Sequence, residues 1–258
     1  MHPVIFQLGA FKLPAYGLMV ALGYLAAILW LMRRAGEHNF RKEDLSDLVF
    51  WTVLSGMAGA KLFYAATYWA GFGPDFPSRL WFALRTFQYG FVFYGGLLCG
   101  AAAFFLAARS KRLDALKAAD LFAPALALGH AFGRVGCFLA GCCHGRPSGS
   151  FFAVAFTDPA CEVDPSLLGV PLYPTQLLEA AGNLLIFLLL AAALRRRPRP
   201  GSVLALYAAL YSAQRFLVEF LRGDDRGGFL LGASPAQLIS LAVFAAATLL
   251  FLRFRSVK

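Results

Sequence analysis

Three stretches of this chain run for twenty positions or more without a charged residue: 13–32, 86–108 and 227–252. A helix rises about 1.5 Å per residue, so ~20 such residues cross the ~30 Å hydrocarbon core of a bilayer. Composition agrees with that constraint. Hydrophobic residues make up 59% of the 258 positions and charged residues 15%, with 26 Phe, whereas a soluble domain usually carries about 25% charge. So few charges cannot build a water-facing surface. A soluble globule, a disordered chain, a coiled coil and a disulfide-rich secreted scaffold are excluded together.

Four further apolar stretches are each interrupted by isolated ions: about 46–70 (Lys61), 119–140 (Arg134), 175–194 (Glu179) and 201–221 (Arg215, Glu219). The sequence therefore predicts an all-α polytopic membrane protein with seven transmembrane helices. Basic clusters follow spans 1, 3, 5 and 7, at Arg33/Arg34/Arg41/Lys42, Arg109/Lys111/Arg112/Lys117, Arg195/Arg196/Arg197/Arg199 and Arg253/Arg255/Lys258. Cytoplasmic loops carry the excess of Lys and Arg, which predicts an outside N-terminus and a cytoplasmic C-terminus. Fifteen of the 24 basic residues thereby serve orientation and contact with anionic lipid. The net charge of +10 needs no nucleic acid to explain it. The first span begins without a basic n-region or a small-residue cleavage site, so no signal peptide is expected. No internal repeat or linker divides the chain, so 1–258 reads as one membrane domain. The longest outer segments, about 71–90 and 141–174, would form a small external cap. The run from Phe151 to Phe156 reads as a strand or a surface-lying segment.

Ions inside a span are costly and mark polar cavities. Lys61, Arg134 and Arg215 each fall 14 or 15 residues along a rising span, which is ~21–22 Å up the core. Tyr16, Tyr94, Gln176 and Glu179 lie in the first turns of descending spans and reach the same depth. Arg215, Glu219 and Arg222 recur at i, i+4 and i+7, and Gln176 and Glu179 at i, i+3, so each set shares a helix face. Arginine grips phosphate through two parallel hydrogen bonds, so this cationic surplus suits an anionic lipid headgroup. A purely structural reading stands beside it, in which Arg215–Glu219 and Lys61–Glu179 are ion pairs that hold helices together. Gly56/Gly59 and Gly95/Gly96 read as close helix contacts, and Gly133 and Gly136 flank Arg134.

Of the five cysteines, Cys99 reads as a small packing residue in the third span. Cys137, Cys142, Cys143 and His144 gather near the end of the fourth, with Cys161 in the loop beyond. Three readings remain open. One is packing, or a disulfide from Cys142 or Cys143 to Cys161. Another is a nucleophilic cysteine beside Arg134. The third is soft-metal ligation, although C-x4-C-C-H matches no standard zinc or iron–sulfur spacing.

Several segments, in order, resemble the bacterial prolipoprotein diacylglyceryl transferase family. They are His2-Pro3-Val4-Ile5-Phe6 with Tyr16-Gly17-Leu18-Met19, Gly133-Arg134-Val135-Gly136-Cys137-Phe138-Leu139-Ala140-Gly141 with Gly145-Arg146, Tyr173-Pro174-Thr175-Gln176-Leu177-Leu178-Glu179, and Arg215-Phe216 with Glu219 and Arg222. The resemblance covers almost the whole chain. It implies a multi-pass enzyme of the bacterial cytoplasmic (inner) membrane, acting in lipoprotein biosynthesis. Such an enzyme transfers the diacylglyceryl group of phosphatidylglycerol to the lipobox cysteine thiol of a secreted prolipoprotein and releases glycerol phosphate. No metal and no diffusible cofactor is implied. Arg134 and Arg215 match the family's key arginines and would hold the leaving phosphate, with Glu219 balancing Arg215. Tyr16, Lys61, Gly133, Gly145, Gln176, Glu179 and Arg222 would shape the substrate cavity.

The chain departs from the family pattern at four positions. Tyr94 stands where the family has its histidine, in Phe93-Tyr94-Gly95-Gly96, and becomes the proton-handling candidate. Cys137 replaces an asparagine, Cys142 a glutamate and Lys61 an arginine. Two alternatives follow from these departures. One is a divergent paralogue that moves a lipid group to another acceptor through its own cysteine; the other is a catalytically silent anionic-lipid-binding protein.

Overall fold

The structure, a computed structural model, describes residues 2–9, 11–86, 90–223 and 232–256. Residues 87–89 of the predicted span 86–108, residues 227–231 of the span 227–252, Met1 and Lys258 lie outside the described residues. The chain divides into two compact units, residues 1–31 with 119–258 and residues 32–118.

Helices dominate, and among the described residues six are long and apolar enough to cross a membrane: Ala15–Arg34, Lys42–Phe72, Phe93–Ser110, Ala115–Ala140, Thr175–Arg195 and Pro235–Phe254. Their large apolar side chains, Leu98, Leu106, Leu185, Leu188 and Leu249 among them, are exposed on the protein surface, which is what a hydrocarbon solvent permits and water does not. The seventh predicted span is also helical, Ser202–Glu219. Gln214, Arg215 and Glu219 lower its hydropathy, so length and composition alone do not mark it as a membrane crossing.

In the first unit, strands β1 (Val4–Leu8) and β2 (Phe11–Pro14) pair antiparallel and lead into helix α1 (Ala15–Arg34). Ala15 N donates to Pro3 O at 2.8 Å, which ties the hairpin to the start of α1. The sequence reading did not foresee this hairpin. Helices α2 (Lys42–Tyr68), α3 (Phe76–Arg85) and α4 (Phe93–Ser110) belong to the second unit.

The chain then enters α5 (Ala115–Ala140), followed by the two-residue strands β3 (Val154–Ala155) and β4 (Pro171–Leu172), α6 (Thr175–Arg195), α7 (Ser202–Glu219) and α8 (Pro235–Ser256). Small residues bring α1 and α5 together. A Cβ on Gly23 would stand 2.8 Å from Phe132 Cβ, and one on Gly136 3.1 Å from Met19 Cβ. Backbones approach this closely where van der Waals packing, rather than water exclusion, holds helices together. Of the run 151–156, only Val154–Ala155 is a strand, paired with Pro171–Leu172. Phe156, Cys161, Val163 and Leu172 form a small buried core, while Phe151 is 96% exposed.

The second unit packs α2 on α4 through the glycines singled out above: a Cβ on Gly59 would lie 2.6 Å from Gly95 O, and one on Gly56 3.4 Å from Gly96 O. The segment 71–90 contains the amphipathic α3. Lys111 Nζ reaches Asp44 Oδ1 at 3.4 Å and Asp47 Oδ2 at 2.5 Å, tying the turn after α4 to the first turns of α2.

The start of α7 is capped from a distance. The first N–H groups of a helix have no partner within it; here buried Asp120 of α5 accepts from Gly201 N and Leu204 N, each at 2.8 Å. A carboxylate at this end also meets the positive pole of the helix. Asp120→Ala should therefore lower stability by about 1–3 kcal/mol, the cost of leaving such donors unsatisfied, while Asp120→Asn should lose less. Unfolding midpoints in detergent would show the order wild type, Asn, Ala.

Candidate active site

The end of α5, the start of α6 and the end of α7 converge on one buried carboxylate. Glu179, 1% exposed, stands 2.6 Å from Arg134 Nε through Oε2 and 3.0 Å from Arg222 Nη1 through Oε1. Each oxygen thus has its own guanidinium. Arg215 Nη1 lies 2.6 Å from Glu219 Oε2, charge against charge rather than in an aligned hydrogen bond. Ser234 Oγ donates to Glu219 Oε1 at 2.6 Å. Among the described residues, three guanidiniums, Arg134, Arg215 and Arg222, pair with two carboxylates, a formal surplus of one positive charge. Glu179 takes Arg134 and Arg222 as its ion partners.

The turn after α5 is held by the first residues of α6. Gln176 Nε2 donates to Cys142 O at 2.8 Å and Thr175 Oγ1 to Cys143 O at 2.9 Å. Gln176 is fully buried, and its Oε1 has no hydrogen-bond partner among the described residues. Farther along, Gly145 bridges to Arg222, Gly145 N donates to Tyr173 O at 3.0 Å and Arg146 N to Leu221 O at 2.9 Å. Gly145 is there because nothing larger fits: a Cβ would lie 2.6 Å from Tyr173 O and 2.7 Å from Leu221 O. Tyr16, at the start of α1, packs on Gly136, whose Cβ would lie 3.2 Å from Tyr16 Cδ2. Gly133 has open space around it.

The structure therefore brings together Arg134, Glu179, Arg222 and, through the backbone pairing, Gly145, with Gln176 bracing the adjoining turn. Lys61 and Tyr94 belong to the other unit. Lys61 Nζ donates to Thr86 O at 2.6 Å and lies over the rings of Tyr64 and Phe91. Tyr94, in the first turn of α4, is 52% exposed, with its ring edge-on to Phe93.

Five residues escaped the sequence reading. His130 Nε2 accepts from Arg134 Nε at 3.2 Å, and its ring packs against Tyr211 of α7. Its spacing of four from Arg134 was the available signal. Asn183 Nδ2 and Gln214 Nε2 both donate to Glu179 O, at 2.8 and 2.9 Å, fixing the backbone that carries the carboxylate. Ser234, 15 positions beyond Glu219, gave no local signal.

All five cysteines are free thiols. The anticipated bridge to Cys161 is absent, because Cys161 packs into the core with Phe156, Val163 and Leu172. Instead the sulfurs of Cys137, Cys142 and Cys143 lie within 4.8 Å of one another. Hydrogen bonds from Cys137 and Cys142, and then the Arg222 guanidinium, draw the Cys143 thiol below its ordinary range, while Cys142, the donor in that network, is pushed up.

The fit around Gly145 makes a direct prediction. Gly145→Ala should force apart the strand-like pairing that seats Arg222, costing about 1–3 kcal/mol as overpacking does. Gly133→Ala, with open space, should leave the unfolding midpoint at or above wild type. Thermal unfolding of the two variants side by side distinguishes them.

The family described as prolipoprotein diacylglyceryl transferase matches residues 3–253. A Clostridium perfringens protein named phosphatidylglycerol–prolipoprotein diacylglyceryl transferase 2 is 36% identical over 251 residues, covering 97% of this chain and 94% of that protein. A Clostridium tetani phosphatidylglycerol–prolipoprotein diacylglyceryl transferase is 36% identical over 93% of each chain. One from Geobacter sulfurreducens is 35% identical over 95% of this chain and 92% of its own length. With the arginines and glutamates of the motifs held in buried ion pairs and the match running nearly end to end, this chain belongs to the prolipoprotein diacylglyceryl transferase family.

Proposed function

We propose that this chain transfers the diacylglyceryl group of phosphatidylglycerol to the lipobox cysteine thiol of a prolipoprotein. The observation that carries the reading is the sharing of Glu179 between Arg134 and Arg222, with the cationic surplus that Arg215 completes. In the reaction the thiol sulfur attacks a glyceryl carbon, a carbon–sulfur bond forms, and the carbon–oxygen bond to phosphate breaks. Charge develops on the leaving phosphate, and glycerol phosphate departs. Positioned cations stabilise that charge better than reorganising water does. Arg134 and Arg215 take this role, and Glu219 orients Arg215. Glu179 and Arg222 hold Arg134 in place, while Gln176, Gly145, Gly133, Tyr16 and Lys61 shape the substrate cavity.

The thiol proton must also leave. Tyr94 is the candidate acceptor, at the position of the family histidine. A second candidate is His130, an imidazole whose Nε2 lies 3.2 Å from Arg134 Nε at the phosphate grip.

The same reading places seven spans in the bacterial inner membrane, with α7 as the sixth crossing, an outside N-terminus and a cytoplasmic C-terminus. The basic clusters support that orientation. The segments 71–90 and 141–174 form its outer cap, and 1–258 acts as one transferase domain. The division between the two units falls inside α1 and α5 rather than in a linker, which supports one domain.

The decisive experiment supplies purified protein in phosphatidylglycerol liposomes with a lipobox peptide and reads peptide mass and released glycerol phosphate. A diacylglyceryl mass shift is expected. Protein that binds phosphatidylglycerol without any shift would instead be a silent paralogue. Arg134→Ala should cut the rate by about 100-fold or more, the usual cost of removing a charge-stabilising donor; full activity in that variant would sink the site assignment. Tyr94→Phe and His130→Gln separate the two proton acceptors, since the true one should lower the plateau of rate against pH by at least about 100-fold.

A further inference from the structure

Three thiols gather at the end of α5, and the transfer chemistry described above uses none of them. Cys137 is on the last turn of α5, and Cys142 and Cys143 follow the left-handed Gly141. Their sulfurs lie within 4.8 Å of one another, and the group is partly buried. Sulfur to metal distances near 2.3 Å require sulfurs about 4.0 Å apart around a trigonal ion and about 3.8 Å apart on one face of a tetrahedral ion. The triangle is therefore within about 1 Å of the size an ion needs, before any side-chain rotation. We infer that Cys137, Cys142 and Cys143 form a binding site for a thiophilic d10 cation, Zn(II) or Cu(I).

Three observations favour a metal over simple packing. First, the triangle is built from a helix end and a turn rather than from one flexible loop. Both carbonyls of the turn are held: Cys142 O by Gln176 Nε2 at 2.8 Å and Cys143 O by Thr175 Oγ1 at 2.9 Å. Outer contacts of this kind orient ligands and are part of a metal site. Second, soft thiolates select Cu(I) and Zn(II) over the hard cations that a carboxylate cluster would attract. Third, the ligand set is all sulfur. His144, the fourth member of the sequence cluster, is not part of the group, and its Nδ1 lies 3.0 Å from Gly145 O. An all-thiolate triangle is the trigonal arrangement Cu(I) accepts; Zn(II) would complete its tetrahedron with water.

Binding releases up to three thiol protons to solvent and leaves a small net charge beside Arg134 and Arg222, where anionic character is favoured. The ion would also tie the helix turn that follows Arg134 to the turn braced by α6. It thus stiffens the backbone on which the phosphate grip is mounted, while its existence does not depend on which lipid that grip takes.

The test uses the full chain in detergent, reduced and stripped with chelator. Cd(II) serves as a spectroscopic probe through its thiolate charge-transfer absorption. Zn(II) is titrated against a chromophoric chelator and Cu(I) against bicinchoninate. One ion per chain is expected in the Cd(II) titration and in at least one of the other two. Cys142→Ser should weaken binding at least tenfold, since even an outer-shell loss costs about that much, whereas Cys161→Ser and Cys99→Ser should keep it. A second measurement needs no variant: in wild-type protein the saturating ion should slow alkylation of Cys137, Cys142 and Cys143, read by peptide mass, and leave Cys99 unchanged. Absence of a one-to-one complex with all three ions, or equal alkylation of the three thiols with and without metal, overturns the proposal.

Discussion

A single buried carboxylate organises this site. Glu179 sits at 1% exposure near the start of an apolar helix, and an ion so placed survives only when paired and hydrogen-bonded. Arg134 and Arg222 supply the pairing, one to each oxygen. Removing one partner from a buried pair leaves an uncompensated charge that costs about 3–5 kcal/mol, so the three residues must be positioned together. That requirement propagates outward. Arg222 must leave α7 at the right height, which the Gly145–Arg222 bridge and the Arg146 N to Leu221 O bond enforce. Glu179 must hold its turn of α6, which Asn183 and Gln214 clamp through the Glu179 carbonyl.

Such an arrangement is a poor device for stability alone. A hydrophobic trio of similar volume would pack the helix ends without the desolvation cost. What it offers is a set of guanidiniums held in place before any ligand arrives, with more positive charge than the carboxylates can neutralise. Preorganised charge of this kind acts strongly in a medium that excludes water. The glutamates keep the arginines oriented, and an incoming phosphate finds donors already aimed.

Much of the fold was legible because membrane spans obey a rule of length and polarity. The predicted stretches 175–194 and 201–221 correspond closely to Thr175–Arg195 and Ser202–Glu219. The glycine pairs at 56/59 and 95/96 were legible too, since small residues in apolar helices mark close approach. Counting residues along the helices put Arg134 and Glu179 at one depth, but their pairing was not foreseen. What the sequence hid was anything set by loops. The hairpin Val4–Leu8 with Phe11–Pro14 is too short and too apolar to stand out beside a membrane span. Asp120 capping α7, eighty-one positions away, has no local signal. The same is true of Ser234 on Glu219. The bridge expected at Cys161 failed because a cysteine's neighbours are decided by tertiary packing, not by its nearness in sequence to other cysteines.

The departures from the family pattern are not independent of one another. Cys137 and Cys142 stand where an asparagine and a glutamate are expected, and their sulfurs meet, with that of Cys143, in one triangle. An amide and a carboxylate at those two places would join the polar network through oxygen. Two thiols instead join each other, while the backbone carbonyl of Cys142 still takes the hydrogen bond from Gln176. The scaffold of the turn is thus retained while the chemistry of its side chains changes as a unit, from hard oxygen donors to soft sulfur. Meanwhile Arg134 and Arg222 remain paired with Glu179, and Arg215 with Glu219. Unpairing a buried arginine costs about 3–5 kcal/mol, so the ion pairs resist change on stability grounds, whereas the partly buried thiols carry no such constraint. The sulfur triangle and the ion pairs meet at the same turn, since Gln176, three residues before Glu179, holds the Cys142 carbonyl.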